Sequence, residues 1–453
     1  MMNKYNDYRQ IDLPWLKDIP SHWGIRRNKN IFTEMKNEVG EDSDKYTLLS
    51  LSKKGIIPRD VESGKGKFPE KFDKYKIVKP GYMAFCLFDI DETPRTVGLS
   101  ELDGMLTGAY TIMDVHDVNP RYAFYYYLAL DNVKALKPLY SGLRKTINSN
   151  VFQSTKVPVP PMEEQNKIVA FLDWKTTEIN WLIAKQRQKI LRLRELEHKL
   201  IKNAITRGVN SEVQFRNSGN RFIGEVPEHW QILPLYAIAS IRSDSNHTDL
   251  PLLSVYLDEG VVPFSSRDER RTNATSQDLS KYQKVEPGDF VVNNQQAWRG
   301  SVGVSNYEGI VSPAYIVLHL DDTLLREYAN YLLRSTVMVD QYLINSKSVG
   351  SIQRNIYWPR MKRVDVPVPP KNEQQDILDY IDEIYKKIEA LIHKYEDKNK
   401  VLEELKTKII SNVTTGKIDV REVYIPEYDA SIDEDSGEDD SILDADETEE
   451  QED

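Results

Sequence analysis

The sequence is rich in cationic and amide side chains but contains no recognisable catalytic constellation. It has no Gly-x4-Gly-Lys-Ser/Thr phosphate-binding loop, and the Gly-Lys-Gly-Lys run at 64–67 is typical of a basic surface loop. It also lacks a Gly-x-Gly-x-x-Gly motif and the Asn/Asp-Pro-Pro-Tyr/Phe segment with which amino-methyltransferases hold a flipped base. The seven histidines are scattered, without a His-Glu-x-x-His motif. We therefore expect this chain to bind no metal or cofactor and to have no catalytic centre.

The remaining polar chemistry is that of nucleic-acid recognition. Lys and Arg neutralise phosphates, and Arg, Lys, Asn and Gln read guanine and adenine edges in the major groove. Since charged runs are most often solvated surface, the interpretation depends on the set rather than on any single residue. The candidate DNA contacts are Lys53, Lys54, Arg59, Lys65, Lys67, Arg95, Arg144, Lys145, Arg267, Arg270, Arg271, Asn293, Asn294, Gln295, Gln296, Arg299, Gln353 and Arg354.

The chain repeats one plan twice, with offsets of 204 to 209 residues. Pro-Ser-His-Trp at 20–23 recurs as Pro-Glu-His-Trp at 227–230, and Val-Pro-Val-Pro-Pro at 157–161 recurs at 366–370. A duplicated His-Trp pair next to proline indicates a shared packing anchor rather than a base-stacking platform. Because a sequence duplication on this scale repeats a structural unit, we predict two domains of the same fold.

Each proline run marks the start of a long helix. Proline holds the residue before it extended, so the run itself is not helical. Pro161 and Pro370 then suit helix N-termini, and the Glu-Gln pairs that follow suit the positive end of the helix dipole. Gly208 and Gly416 stand where helix C-caps favour glycine. The sequence predicts two helices of about 43 residues, each about 65 Å long.

Apolar residues recur along both helices at intervals of three and four, which is typical of a coiled-coil seam. The first helix is strongly basic over 185–207 and the second is mixed in charge, so the two helices are expected to pair with each other. Antiparallel pairing would place the two domains at opposite ends of a rod. The predicted seam consists of Ile179, Leu182, Leu193, Leu196, Leu200, Ile388, Leu391, Leu402, Leu405 and Ile409.

The regions before the helices combine short strand-like pieces, such as 76–88 and 289–293, with helical spacing at 122–136 and 325–342. The predicted fold class is α+β. We expect two pseudo-two-fold related mixed α/β domains separated by two long helices that form an antiparallel coiled coil. The predicted boundaries are 1–158 for the first domain, 159–208 for the first helix, 209–367 for the second domain, 368–416 for the second helix and 417–453 for a tail.

Composition limits the class of protein further. A chain of 453 residues exceeds the size of a single core. No stretch approaches the roughly 18 apolar residues of a membrane span, and the first ten residues do not form a secretory signal, so we expect a cytoplasmic protein without a membrane partner. The single cysteine, Cys86, excludes an internal disulfide framework and is expected to be a buried small hydrophobe.

The net charge of −11 is concentrated at the C-terminus. Residues 427–453 hold 15 of the 71 acidic residues and no Lys or Arg, so residues 1–426 carry 60 basic against 56 acidic residues. A segment with so much charge of one sign is expected to be a disordered, solvated tail. The alternative is that the tail competes with nucleic acid for a basic groove elsewhere on the chain.

Two variable domains, each followed by a repeated helix with Val-Pro-Val-Pro-Pro, Glu-Gln and a terminal Thr-Arg-Gly or Thr-Thr-Gly, resemble the specificity subunit of type I restriction-modification enzymes. The similarity covers about residues 5–425. It implies that each domain reads one half of a split DNA sequence and that the helices form a spacer that docks two modification subunits. It also implies restriction subunits as partners, with S-adenosylmethionine, ATP and Mg on the partner subunits. The acidic tail departs from the family pattern.

Two other classes of protein stay open at this point. One is a self-sufficient nuclease or methyltransferase with unrecognised motifs, which would modify or cleave DNA by itself. The other is a coiled-coil adaptor that never touches DNA, which would show no salt-dependent DNA binding.

Overall fold

A computed structural model describes residues 3–59, 71–140, 145–266, 278–349 and 353–428. The chain divides into two compact units, the first formed by Met1–Gln188 with Tyr395–Asp453 and the second by Lys189–Lys394. The α-helices of the described ranges are α1 (Pro120–Asn132), α2 (Ser149–Ser154), α3 (Met162–Arg207), α4 (Arg326–Arg334), α5 (Thr336–Ile344), α6 (Trp358–Met361) and α7 (Lys371–Thr414). The long helices α3 and α7 each contribute one part to each unit.

The first unit is built on an antiparallel sheet of four strands in the order β4-β11-β8-β9, together with the two-stranded ladders β1–β2, β3–β12, β5–β6 and β7–β10. Its main core lies between this sheet and α1, where Phe85, Tyr127 and Phe152 contact one another through their rings. The strands are β1 (Tyr8–Leu13), β2 (Leu16–Pro20), β3 (Gly24–Arg27), β4 (Phe32–Met35), β5 (Leu49–Ser52), β6 (Gly55–Pro58), β7 (Lys76–Val78), β8 (Met83–Phe85), β9 (Val97–Leu99), β10 (Gly104–Leu106), β11 (Thr111–Val115) and β12 (Lys156–Val159).

The second unit repeats this topology. Its four-stranded sheet has the order β16-β23-β20-β21, and its ladders are β13–β14, β15–β26, β17–β18, β19–β22 and β24–β25. The strands are β13 (Phe215–Asn217), β14 (Glu225–Pro227), β15 (Gln231–Pro234), β16 (Ala239–Ile241), β17 (Leu253–Tyr256), β18 (Gly260–Pro263), β19 (Gln283–Val285), β20 (Phe290–Asn293), β21 (Val302–Val304), β22 (Gly309–Val311), β23 (Tyr315–Leu320), β24 (Ser346–Val349), β25 (Gln353–Ile356) and β26 (Asp365–Val368). Since both sheets are antiparallel and helices pack against them, the predicted α+β class is confirmed.

One predicted helix is in fact two. The sequence pattern predicts a continuous helix over 325–342, but the structure has α4 and α5 with a break at Ser335, whose backbone is extended (φ −64°, ψ 153°). Serine has a low helix propensity because its hydroxyl competes for backbone hydrogen bonds, although the Ser335 hydroxyl makes no capping hydrogen bond to α5. The hydrophobic spacing continues across the break, which is why periodicity alone missed it.

The long helices begin and end at the residues that the proline and glycine signals mark. The Pro161 carbonyl accepts the first helical bond of α3 from the amide of Gln165 (2.9 Å), and the Pro370 carbonyl accepts the equivalent bond of α7 from Gln374 (3.0 Å). Gly416 has φ of +74°, and an added Cβ would lie 2.3 Å from Pro20 Cδ. Glycine is therefore required at this position by both backbone conformation and close packing.

Within each unit, α3 packs against α7. In the first unit, Ile179 and Ile183 of α3 share a core with Ile409 and Val413 of α7. In the second unit, Ile384, Ile388 and Ile392 of α7 share a cluster with Ile190, Leu193 and Leu200 of α3. In the first unit the first part of α3 thus packs with the last part of α7, and in the second unit the last part of α3 packs with the first part of α7.

The predicted seam is wrong at three of its ten positions. Leu196, Leu391 and Leu405 are 45%, 43% and 44% exposed, whereas their neighbours Glu197 and Ile392 are 6% and 1% exposed. The remaining predicted positions are buried or partly buried: Ile179, Leu182, Leu193, Leu200, Ile388, Leu402 and Ile409. After a shared position such as Ile388, the next packed residue is therefore four positions along the helix (Ile392), whereas the prediction places it three positions along (Leu391).

Candidate nucleic-acid interface

In the first unit, a tight hairpin turn presents two adjacent lysines. Lys53 and Lys54 join β5 to β6 and are both exposed. The Ser52 hydroxyl accepts a hydrogen bond from the Lys54 amide (3.1 Å) and donates one to the Gly55 carbonyl (3.1 Å), which fixes the turn. Arg59 follows β6 and is half-buried. Two ammonium groups on a rigid turn suit phosphate oxygens or a guanine edge.

The connection between β8 and β9 in the same unit is acidic, and its carboxylates engage nearby cations. Asp91 accepts a hydrogen bond from the Tyr140 hydroxyl (2.8 Å) and lies 3.2 Å from Lys137 Nζ. The Tyr140 hydrogen bond, with the Lys137 ammonium, lowers the pKa of Asp91 to about 2. The candidate Lys145 forms ion pairs with Asp91 (3.8 Å) and with Glu92, and its hydrogen bond to Glu92 raises the pKa of Lys145.

The candidate Arg95 has a structural position. Its guanidinium Nη1 lies 3.1 Å from Asp131 Oδ2, and Asp131 is only 3% exposed. The same carboxylate accepts hydrogen bonds from the Thr96 amide (3.1 Å) and hydroxyl (2.5 Å). Arg95 therefore balances a buried charge at the end of α1. This arrangement joins α1 to the β8–β9 connection and leaves Arg95 less suited to a DNA contact.

In the second unit, the equivalent connection between β20 and β21 is rich in amides and has no carboxylate. The Asn293 side chain accepts a hydrogen bond from the Gln295 amide (3.1 Å), and Trp298 Nε1 donates to the Gln295 carbonyl (3.0 Å). The Arg299 guanidinium lies over the Trp298 ring at 4.7 Å, an arrangement that extends Arg299 along the surface. Gln295 and Arg299 are exposed, while Asn293, Asn294 and Gln296 are half-buried.

The hairpin β24–β25 lies beside this connection. The Ile356 amide donates to the Asn294 carbonyl (3.0 Å), and Arg354 Nε donates to the Ser346 hydroxyl (2.9 Å) within the hairpin. Lys347 Nζ lies 3.7 Å from the centre of the Tyr357 ring, and the Arg360 guanidinium lies 5.9 Å from the same ring.

The structure thus brings together the candidate DNA contacts of the β20–β21 connection and of β25, and it shows further cationic and aromatic residues beside them. The connection that holds Asn293 to Arg299 is hydrogen-bonded to β25, the strand that carries Arg354, and the sequence patterns missed three neighbouring residues, Lys347, Tyr357 and Arg360. No sequence motif contains Lys347, Tyr357 or Arg360. The only signal that could have indicated them is the candidate Arg354, which lies close to them in the sequence. Several candidates lie outside the described residues: Lys65, Lys67, Arg144, Arg267, Arg270, Arg271 and the side chain of Gln353.

A duplicated clamp positions each domain on a long helix. In the first unit, the Glu164 carboxylate accepts hydrogen bonds from Trp23 Nε1 (2.9 Å) and the Tyr5 hydroxyl (2.6 Å), and lies 2.7 Å from His22 Nε2. In the second, Glu373 accepts from Trp230 Nε1 (2.9 Å) and lies 2.5 Å from His229 Nε2. Both tryptophans are only 1% exposed, which confirms the interpretation of the His-Trp pairs as packing anchors.

The glutamine that follows each glutamate is also structural. Gln165 Nε2 donates to the Pro160 carbonyl (2.8 Å) and its Oε1 accepts from the Asn119 amide (2.8 Å). Gln374 makes the same pair of bonds with the Pro369 carbonyl (2.9 Å) and the Leu325 amide (2.7 Å). The duplicated Glu-Gln pair was visible in the sequence, but its partners lie up to 159 residues away in the chain.

The lone thiol has the buried position expected of a small hydrophobe. Cys86 is buried, and burial raises the pKa of its thiol to about 11. Over the described ranges, no three His, Cys, Asp or Glu side chains gather closely enough to hold a metal ion. No helix in those ranges has the length and apolar character needed to cross a bilayer.

The fold and the site together define a duplicated α+β protein in which each copy carries polar loops at one edge and is followed by a long helix. The sequence pattern of the type I restriction modification DNA specificity domain matches residues 106–192 and 227–403, more than half of the chain. The chain therefore belongs to this family, as the resemblance predicts. Specificity subunits are the non-catalytic subunits of type I restriction-modification.

Named relatives support the same family. The chain is 24% identical over 292 residues to the type I restriction enzyme MjaVIII specificity subunit of Methanocaldococcus jannaschii, covering 61% of this chain and 65% of that protein, just under two thirds of its length. A second specificity subunit from that organism, MjaX, is 23% identical over 435 residues, which are 89% of this chain and 95% of the relative. A solved chain, reported with the complex assembly and conformational transition of the type I R-M system, has the same fold. It has a TM-score of 0.52 and 17% identity, and the match covers 88% of this chain and 99% of that one.

Proposed function

We propose that each domain of this specificity subunit reads one half of a bipartite, asymmetric DNA site. The observation that carries the proposal is one scaffold present twice with different polar loops. The sheets β4-β11-β8-β9 and β16-β23-β20-β21 have the same order, yet the turn after β5 is Lys-Lys and the turn after β17 is Leu-Asp-Glu. Equal scaffolds with unequal loops suit two different half-sites, because readout depends on the groups that reach base edges.

The paired helices are proposed to set the distance between the half-sites and to dock two modification subunits. Large apolar side chains stay exposed along both helices, among them Trp181 (41%), Leu191 (64%), Tyr385 (52%) and Val401 (63%). These side chains are the positions at which we propose that the modification subunits pack.

The partners proposed for this chain are double-stranded DNA, two modification subunits and restriction subunits. Chemistry is assigned to those subunits, with S-adenosylmethionine, ATP and Mg bound there and no cofactor on this chain. The two-fold repetition of the chain suits two modification subunits, one for each domain.

Methylation mapping tests the proposal directly. Cells expressing this chain with its neighbouring modification gene are compared with cells lacking this chain, and N6-methyladenine is mapped across the genome. We expect a split motif that disappears without this chain. Exchanging residues 1–155 for those of another specificity subunit is expected to change only one half of the motif. A motif that changes in both halves contradicts the assignment of one half-site to each domain.

The alternative, a coiled-coil adaptor without DNA binding, makes a different prediction. A protein that neutralises several phosphates loses affinity steeply as salt rises. We therefore expect gel-shift affinity of the assembled complex for duplex DNA to fall between low and physiological salt. Absence of chain-dependent methylation together with absence of salt-dependent binding would favour the adaptor.

A further inference from the structure

Two loops of each domain extend from strands that pack against each other. One is the hairpin turn between β5 and β6, or β17 and β18, and the other is the connection between β8 and β9, or β20 and β21. In the first unit the hairpin packs onto β9, where a Cβ on Gly98 would lie 2.6 Å from Leu51 Cδ1. In the second unit the hairpin packs onto β21, and the Ser301 hydroxyl donates to the Val255 carbonyl (2.9 Å).

The charges of these two loops are exchanged between the domains. The hairpin turn holds Lys53 and Lys54 in the first domain and Asp258 and Glu259 in the second. The connection holds Asp89, Asp91 and Glu92 in the first domain, whereas in the second it holds amides, Trp298 and Arg299 without a carboxylate. Each domain thus has one acidic and one basic or amide loop, in opposite positions.

The surroundings strengthen the exchange. In the first domain, the connection's carboxylates engage Lys137 and Lys145, so the cations nearby are already neutralised. In the second, the neighbouring hairpin and α6 add Lys347 and Arg360, both exposed and grouped around the Tyr357 ring. Phosphates are attracted to a loop with exposed cations rather than to a loop that carries carboxylates, which favours a different DNA-facing loop in each domain.

We infer that the two domains read DNA through non-equivalent loops. The first uses the β5–β6 turn with Lys53 and Lys54, and the second uses the β20–β21 connection with Gln295 and Arg299, extended by Lys347 of the adjacent hairpin. This inference rests on the proposed function and names the specificity-determining loop of each half-site.

The test uses the full chain assembled with its modification subunits and a duplex carrying the split motif that the wild-type methylation map defines. Two double variants remove the proposed contacts, Lys53→Gln with Lys54→Gln and Arg299→Gln with Lys347→Gln. Each has a matched control that removes two charges from the equivalent loop of the other domain, Asp258→Asn with Glu259→Gln and Asp91→Asn with Glu92→Gln.

We expect each contact variant to weaken binding of the duplex at least tenfold and to reduce the salt dependence of binding. A loop that reads bases also relaxes the methylated motif in its own half only. The controls are expected to bind as tightly as the wild type or more tightly. Unchanged recognition of the half-site that the unaltered domain reads, together with an unchanged thermal melting curve, shows that each variant is folded.

The outcomes separate this inference from the proposed function. If the wild-type complex recognises no split motif, both are overturned. If the wild type reads a split motif but the contact variants bind and methylate as it does, only the inference is overturned. A loss in the controls equal to that in the contact variants also overturns it, because it would assign DNA contact to the acidic loops.

Discussion

At the scale of single residues, the carboxylate of Glu164 organises the first unit's attachment to α3. It is almost inaccessible to solvent, with a side chain only 5% exposed, and it is surrounded by three groups that can donate to it from Tyr5, His22 and Trp23. Glu373 occupies the same position in the second unit with 28% exposure and with donors from His229 and Trp230. The duplication therefore supplies two versions of one clamp that differ in burial.

We predict that Glu164→Gln destabilises the protein by about 1–3 kcal/mol. The glutamine side chain has one accepting oxygen instead of two, so one of the donors around it faces an NH2 group and loses its hydrogen-bond acceptor. Glu373→Gln is the matched control and should cost less, because water can reach that side chain. Urea unfolding of the two variants and the wild type measures the difference. Equal losses would show that burial of Glu164 has no energetic effect.

The sequence could indicate these residue types but not their pairing. The His-Trp and Glu-Gln motifs are recognisable because they are duplicated, yet the hydrogen bond from Trp23 to Glu164 joins residues 141 positions apart. The same limit applies to the candidate DNA contacts. Arg95 and Lys145 qualify by residue type, but the pairing of Arg95 with the buried Asp131 and of Lys145 with Glu92 depends on tertiary contacts that no local pattern encodes.

At the scale of elements, the starts and ends of the long helices follow from local rules, whereas their packed face does not. Proline and glycine act within one turn, so Pro161 and Gly416 could be interpreted directly. The packed face depends on whether the residue three or the residue four positions after a packed residue is the next to be buried. In a straight helix the fourth residue lies about 40° around the axis from the first and the third about 60° the other way, so the spacing of four keeps a narrower face.

Adjacent residues on α7 provide a matched test of this register. Ile392 is 1% exposed within the cluster of Ile384 and Ile388, while Leu391 is 43% exposed. We predict that Ile392→Ala lowers the free energy of unfolding by about 2–5 kcal/mol, the usual cost of emptying a packed site. Leu391→Ala should stay within about 0.5 kcal/mol of the wild type. Urea denaturation of the two variants measures the difference. A larger loss of stability in Leu391→Ala than in Ile392→Ala would support the predicted seam, which contains Leu391.

At the scale of the whole molecule, the duplication determines what could be predicted. Repeated anchors, proline runs and glycine caps predict two α+β domains and two helices, because each signal is local and occurs twice. The loops that distinguish the domains carry no such repeat. Their role depends on which charges lie together at one edge, as with Lys347 and Arg360 around Tyr357, and that grouping appears only once the chain is folded.

The proposed spacer role predicts that helix length sets the gap between half-sites. Seven residues inserted after Gln188 in α3 and seven after Lys394 in α7 fall at the boundaries of the two units, so each unit keeps its own packing. The insertions add about 10 Å and rotate the helix by only about 20°. At about 3.4 Å per base pair, the gap in the methylated motif should lengthen by about three base pairs while both half-sites stay the same.

Methylation mapping of the lengthened chain measures that gap. Insertion into α3 alone serves as the control, because it leaves the two helices unequal in length. We expect this control to lose methylation, since the packing of α3 against α7 cannot then be satisfied in both units at once. An unchanged gap in the doubly lengthened chain would contradict the spacer role while leaving half-site reading by the two domains intact.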